Sequence, residues 1–138
     1  MFWVDELAEQ IDKEYKKDKL IIRDEKTLSG RVHIGSVVGV VIHAVIAQAL
    51  RERGRDAKFI YEFNDMDPMD GLPVYLDPPE WDEHMGKQLK DVPVPEPSDA
   101  KNFPDFFGRE FAAVIDSMGF QVEYSLSSDR YEEGMYDK

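Results

Sequence analysis

The sequence contains no cysteine, which excludes disulfides, thiol catalysis and thiolate-bound metals. It is also poor in cations, because 17 Lys and Arg stand against 29 Asp and Glu and give a net charge of −12. A chain that binds nucleic acid by itself usually carries excess positive charge to neutralise phosphates. We therefore expect this chain alone to bind a polyanion weakly or not at all.

Long unbroken apolar runs are lacking as well. The most apolar stretch, residues 32–50, is interrupted by polar side chains, and its unbroken runs are far shorter than the ~20 residues that span a bilayer. The first residues have neither the basic start nor the apolar centre of a signal peptide. These absences predict a cytoplasmic protein without a membrane association.

What is present suits one domain with a buried core, since 42% of the 138 residues are hydrophobic. Apolar spacing predicts helices over residues 3–17, from 33–36 to 53, over 105–118 and from 127 onwards, with Ser127–Asp129 as a cap, and strands over 20–22, 57–63 and 120–126. Residues 64–104 are proline-rich and are expected to form a long irregular loop with short helical pieces. The alternation of helices and strands predicts a three-layer α/β fold with a parallel sheet.

In such a sheet, ligands bind beyond the carboxyl ends of the strands. The predicted strands therefore bring three loops to one rim, at residues 23–35, 64–73 and 127–130. Within the first loop, Gly30 permits a tight turn, while His33 and Ser36 fall at a helix N-terminus, where free N–H groups favour phosphate. The plainer interpretation is a capped helix with a structural histidine.

With this context, residues 27–36 (TLSGRVHIGS) resemble the HIGH signature of class I aminoacyl-tRNA synthetases. The chain is more closely similar to the N-terminal part of class I lysyl-tRNA synthetases, and the resemblance is carried by residues 2–9, 23–36, 63–73 and 85–87. It implies a Rossmann-like, HUP-type catalytic domain that activates L-lysine with ATP, with Mg²⁺ as a companion ion, and transfers the lysine to tRNA(Lys).

The resemblance also implies roles for individual residues. His33 and Ser36 are the expected catalytic residues. The expected ATP-binding set is Thr27, Ser29, Gly30, His33, Gly35 and Ser36, and the expected amino-acid-binding set is Glu25, Thr27 and Asp65. The sequence departs from the family pattern at Leu28, at Val37–Val38 and at Ser36, which stands where the motif usually has a second histidine.

The resemblance covers only the first part of the family's catalytic domain. We therefore expect residues 1–138 to be one Rossmann-like domain, the first half of that catalytic domain, and incomplete without a KMSKS-type loop and an anticodon-binding region. Two alternatives stay open: a non-catalytic nucleotide-binding or folding module, and a related nucleotidyltransferase of the HIGH superfamily.

Other clusters point to weaker hypotheses. Asp65, Asp67 and Asp70 faintly resemble a calcium loop, but their spacing does not fit one, so a solvated turn is the plainer interpretation and no metal site is expected. The three histidines show no metal spacing. Arg23, Lys26 and Arg31 form a group of cations around the motif, and we expect them beside the ATP site.

Overall fold

The computed structural model describes residues 2–137. Its elements are α1 (Trp3–Glu14), β1 (Lys19–Thr27), α2 (Ile34–Glu52), β2 (Asp56–Asn64), α3 (Pro78–Trp81), α4 (Phe103–Ser117), β3 (Glu123–Leu126) and α5 (Ser127–Glu132), with two 3-10 turns at Asp82–His84 and Leu89–Asp91.

The three strands form one parallel sheet in the order β1-β2-β3. Every residue of β1 pairs with β2, from Lys19 opposite Asp56 to Thr27 opposite Asn64. The predicted class, a Rossmann-like α/β fold with a parallel sheet flanked by helices, is confirmed. Strand β1 is an edge strand, and its outer side pairs with no other strand within residues 2–137.

One face of the sheet carries most of the core. On β2, Phe59, Tyr61 and Phe63 join α2 and α4 in one buried cluster, in which the Tyr61 and Phe111 rings lie 5.5 Å apart. Because side chains alternate along a strand, Glu62 points to the opposite face. There its carboxylate contacts Ser127, at the start of the short helix α5.

Helix α2 is the most apolar element. By length and composition it could cross a membrane, yet it packs on α1 and the sheet and contributes six buried residues to the core. Between β2 and α4 the chain has only short helical pieces, as expected, but these pack with the start of α4 around a separate apolar cluster. Its members are Met69, Trp81, Leu89, Val92, Phe103 and Phe107.

Several element boundaries differ from the prediction. Strand β1 continues through the charged residues to Thr27, so the predicted loop 23–35 starts only at Leu28. These charges fit a strand because β1 lies at the edge of the sheet, where alternate side chains reach solvent. Helix α1 ends three residues early, at Glu14, and β3 begins only at Glu123.

Candidate active site

The turn from β1 to α2 lies at the carboxyl end of the sheet. His33 occupies the N-cap position of α2 with an extended backbone, and the Ser36 N–H donates to the His33 carbonyl at 2.9 Å. The imidazole makes no capping bond and is exposed to solvent. A ring in this position is free to contact a ligand beside the helix N-terminus.

Two cavities meet at His33. The first, of about 460 Å³, lies between the turn and residues 70–75, and it is lined by Ser29, Gly30 and His33 among others. The second, of about 290 Å³, is lined by His33, Gly35 and Ser36 together with Asp24, Glu25, Lys26, Gly39 and Tyr61. The structure therefore gathers five of the six predicted ATP-binding residues around one imidazole.

Lys26 is the one cation that lines both cavities. It forms no salt bridge with any carboxylate among residues 2–137, and burial lowers the pKa of its ammonium group. A partly buried cation without a counter-ion gains from an anion placed beside it. Lys26 is absent from the predicted ATP-binding set, although its place in the charged cluster was a signal for it.

The two glycines of the motif leave little space for a side chain. A Cβ at Gly30 would lie 3.1 Å from the Tyr75 hydroxyl, and a Cβ at Gly35 would lie 3.2 Å from the His33 ring. Added methyl groups would therefore push on the tyrosine and the histidine that border the cavities. The Ser36 Oγ is buried and has no hydrogen-bond partner within the described part of the chain.

Thr27 is oriented by the next loop. Its hydroxyl donates to Asp67, and the backbone N–H groups of Met66 and Asp67 donate to Asn64 Oδ1 at 3.1 and 3.3 Å. These bonds join the carboxyl ends of β1 and β2. They also show that Asp67, which the sequence placed only in an acidic loop, has a specific partner.

Asp65 is 4% exposed, and its carboxylate is already bonded. Oδ1 accepts from the Ser128 N–H at 2.9 Å and Oδ2 accepts from the Ser128 hydroxyl at 2.5 Å. Ser127 and Ser128 thus bond to carboxylates of the sheet and the next loop, whereas the sequence suggested that they cap α5. The predicted contact of Asp65 with a substrate ammonium stays a prediction.

A third cavity, of about 320 Å³, opens on the other side of the sheet's carboxyl end, and we name it the acidic cavity. Its lining residues are mostly carboxylates, amides and tyrosine rings: Glu25, Glu62, Asn64, Met66, Asp67, Gln88, Ser127, Tyr131 and Tyr136. Of the predicted amino-acid-binding residues, Glu25 lines this cavity, whereas Thr27 reaches it only through its partner Asp67.

The expected group of three cations does not form. Because β1 is a strand as far as Thr27, Arg23 and Lys26 point to opposite faces. Arg23 lies 3.3 Å from Glu62, which also accepts from Arg130 at 3.0 Å. Arg31 lies 2.7 Å from Glu110. Only Lys26 is left to meet an anion at the two cavities.

Comparison of the sequence with models of known families identifies the family of the chain. The sequence model of the family described as tRNA synthetases class I (K) matches residues 1–138. The chain belongs to this family. Because the match covers the whole of residues 1–138, the predicted family membership is confirmed.

Curated relatives of this class I (K) synthetase chain carry the name lysine–tRNA ligase. The protein of Methanocaldococcus jannaschii is 28% identical over 138 residues, covering 100% of this chain and 26% of the relative. That of Thermococcus kodakarensis is 31% identical over 137 residues, covering 99% and 26%. The Pyrococcus horikoshii protein is 27% identical over 137 residues, with the same coverage. The chain thus spans about a quarter of the length of these relatives.

Proposed function

We propose that residues 1–138 form the nucleotide-binding first half of the catalytic domain of a class I lysine–tRNA ligase. In this proposal ATP activates lysine to lysyl-adenylate, and the lysyl group then passes to tRNA. The proposal is supported by membership of the family and by the names of the relatives. It also assigns residues 1–138 to one Rossmann-like domain.

The observation that carries the proposal is the position of His33. Its exposed imidazole lies at the N-terminus of a 19-residue helix and borders both cavities. Free N–H groups and the helix dipole favour phosphate at this end of a helix. We assign the ATP phosphates to His33, Ser36 and Lys26, and the adenosine part of ATP to the turn at Ser29, Gly30 and Gly35.

The chemistry of the proposed first step places little demand on covalent catalysis. An oxygen of the lysine carboxylate attacks the α-phosphorus, the bond to the bridging oxygen breaks, and pyrophosphate leaves with the electron pair. The residues act by holding the two substrates in line and by stabilising charge on the phosphate oxygens. His33 donates from its ring, Ser36 donates from its hydroxyl, and Lys26 supplies positive charge.

For lysine we propose the acidic cavity. Glu25 and Asp67 line it beside Tyr131 and Tyr136, and both carboxylates and aromatic faces attract an ammonium group. Glu25 also lines the second cavity, so a lysine that reaches past this residue can point its carboxylate toward the phosphates. Thr27 contributes by fixing Asp67, and Asp65 by fixing Ser128.

Mg²⁺ enters this proposal only with ATP. No cluster of three or more His, Asp or Glu side chains suited to a metal occurs in the described residues 2–137. Mg²⁺ commonly binds through substrate phosphates with few protein ligands. We therefore propose that the ion arrives on the phosphates. With tRNA(Lys) as the acceptor in the whole enzyme, the proposed place of action is the cytoplasm.

The test is a titration of the chain with ATP, followed by amide chemical shifts in NMR. We expect weak, millimolar-range binding, with shifts concentrated in residues 29–36. His33→Ala should weaken binding, whereas His84→Ala, which removes an imidazole packed beside Trp81, serves as the matched control. Absence of shifts in residues 29–36 at saturating ATP, or an equal effect of both variants, would overturn the assignment.

A second experiment separates a ligase from a non-catalytic nucleotide-binding module, the alternative that the partial coverage of the relatives leaves for this chain. Exchange of labelled pyrophosphate into ATP requires the adenylate step. Lysine-dependent exchange supports the ligase, in however small an amount. If the chain binds ATP but shows no exchange with lysine or with any other amino acid, the result supports the non-catalytic module.

A further inference from the structure

We propose that Glu110 and Tyr75 position the turn that presents His33, and that ATP binding depends on them. This inference rests on the proposed function, because it concerns the same site. Both residues are distant in sequence from the motif: Tyr75 lies in the segment between β2 and α4, and Glu110 lies on α4. Neither belongs to the set of site residues that the sequence predicts.

Glu110 bonds to two successive residues of the turn. Its Oε1 accepts from the Val32 backbone N–H at 3.1 Å, and its Oε2 accepts from the Arg31 guanidinium at 2.7 Å. One carboxylate therefore fixes both the backbone and a side chain immediately before His33. Such two-point contacts by a carboxylate define a geometry more narrowly than a single hydrogen bond does.

Tyr75 bonds to the same turn from the other side. Its hydroxyl accepts from the Arg31 backbone N–H at 3.0 Å, and the Arg31 guanidinium lies 5.5 Å from the centre of its ring. The same hydroxyl lies where a Cβ at Gly30 would approach to 3.1 Å. Burial raises the pKa of this hydroxyl, whereas the bond to Arg31 lowers it.

Together the two side chains accept hydrogen bonds from the backbone N–H groups of residues 31 and 32, the last two residues before the N-cap His33. These donors would otherwise be free to bond to water in many conformations of the turn. Because His33 follows directly, the direction of its imidazole depends on which conformation is held. A turn fixed before the ligand arrives lowers the entropy that binding must overcome.

A purely structural role would give a different outcome. The Arg31 and Glu110 side chains are 50% and 30% exposed, and ion pairs of this exposure contribute little to the stability of a fold. The contacts of Glu110 with the turn therefore contribute little to the stability of the fold, but they define the conformation of the turn. Loss of Glu110 should affect the nucleotide more than it affects unfolding.

The experiment compares four variants of the chain: Glu110→Ala, Glu110→Gln, Tyr75→Phe and Asp116→Ala. Asp116 is the matched control, because it is another carboxylate of α4 that accepts from a tyrosine hydroxyl, that of Tyr124 at 2.7 Å, away from the turn. For each variant we would measure the dissociation constant of ATP, urea unfolding, and hydrogen exchange of the Arg31 and Val32 amides without ligand.

We expect Glu110→Ala to raise the dissociation constant of ATP about tenfold, the effect of a turn that holds the binding conformation only about a tenth of the time, and to speed exchange of the Val32 amide. Glu110→Gln keeps an acceptor for Val32 and should recover most of the affinity. Tyr75→Phe should speed exchange of the Arg31 amide and weaken ATP binding less. Asp116→Ala should change neither exchange nor affinity.

The outcomes distinguish this inference from the proposed function. If the unmodified chain shows no ATP binding, the proposed function fails and the positioning of an ATP site fails with it, whatever the exchange rates. If it binds ATP and Glu110→Ala binds equally well, only the inference is overturned. A lower free energy of unfolding of Glu110→Ala in urea without a change in affinity would overturn the inference and show that Glu110 serves stability alone.

Discussion

Gly39 on α2 lies directly against Asp24 on β1, so that a Cβ at residue 39 would come within 2.5 Å of Asp24 Oδ2. The same carboxylate oxygen lies 3.2 Å from His43 Nδ1, one turn further along α2. Because Gly39 has no side chain, α2 can pack closely against β1 beside the second cavity. No sequence pattern singles out Gly39, because the need for a glycine there arises only from packing.

Gly39→Ala should destabilise the chain, since the methyl group forces the carboxylate or the helix to move. Overpacking of this kind costs about 1–3 kcal/mol, against which alanine in a helix returns about 0.5–1 kcal/mol relative to glycine. We expect a net loss of about 1 kcal/mol in the free energy of unfolding in urea. Gly71→Ala, where no atom lies within 4 Å of the new Cβ, is the control.

The cause can be tested in a double variant. With Asp24→Ala already present, Gly39→Ala should become neutral or stabilising, because the clash is gone and the helix propensity remains. A loss that persists in the double variant would place the strain elsewhere.

Glu62→Ala should lower the free energy of unfolding by about 3 kcal/mol, because it removes the counter-ion of the mostly buried Arg130 and one partner of the more exposed Arg23. The carboxylate is 8% exposed and accepts from Ser127 at 2.7 Å as well as from Arg23, Arg130 and Tyr136. The measurement is urea unfolding together with exchange of the amides in residues 127–136, which should quicken. Glu123→Ala, which breaks an exposed pair with Lys58, should leave stability nearly unchanged.

Alkaline pH should destabilise the fold through Tyr61. Burial, and then the nearby charges of Asp24 and Glu25, raise the pKa of its hydroxyl above the usual value. The unfolded chain releases this proton at about pH 10, whereas the folded chain retains it. The stabilising contribution is therefore complete below about pH 10 and is lost as the pH rises further, by at most about 1.4 kcal/mol per pH unit.

Unfolding midpoints between about pH 8 and about pH 11 would measure this effect. Tyr61→Phe should flatten the decline, and so to a lesser extent should Tyr124→Phe, whose pKa is raised by burial and by Asp116. A decline of equal slope in all variants would assign it to other groups.

The chain alone should bind tRNA poorly. Arg23 and Arg130 are paired with Glu62, and Arg31 with Glu110, so the fold uses several of its 17 cations internally. Fluorescence anisotropy with labelled tRNA at about physiological salt, where charges are screened over roughly 8 Å, should show no sub-micromolar complex. A tight, salt-sensitive complex would contradict this and reveal a basic patch formed by the fold.

The sequence predicted well what depends on periodicity and on local motif chemistry. Helices α2 and α4, the central strand β2 and the place of His33 at a helix N-terminus follow from apolar spacing and from glycine. The full length of β1 did not follow, because Arg23–Lys26 reads as polar loop until β2 is seen to pair with it. Glu110 and Tyr75 could not be found either, because their contacts with Arg31 span 79 and 44 residues.

The charged residues 23–26, which resemble a polar loop in the sequence, also affect how two copies of the chain can pair at β1. Within residues 2–137 the outer edge of β1 pairs with no other strand, and such an edge is a common starting point for edge-to-edge aggregation. Its carboxyl-terminal half contains the run Arg-Asp-Glu-Lys, residues 23–26. Two such edges aligned in parallel place identical charges opposite each other, and an antiparallel alignment centred on the same four residues places Arg23 opposite Lys26 and Asp24 opposite Glu25. Like charges repel in both arrangements and disfavour pairing of this edge with the same edge of another copy. A strand of different sequence would not meet this repulsion.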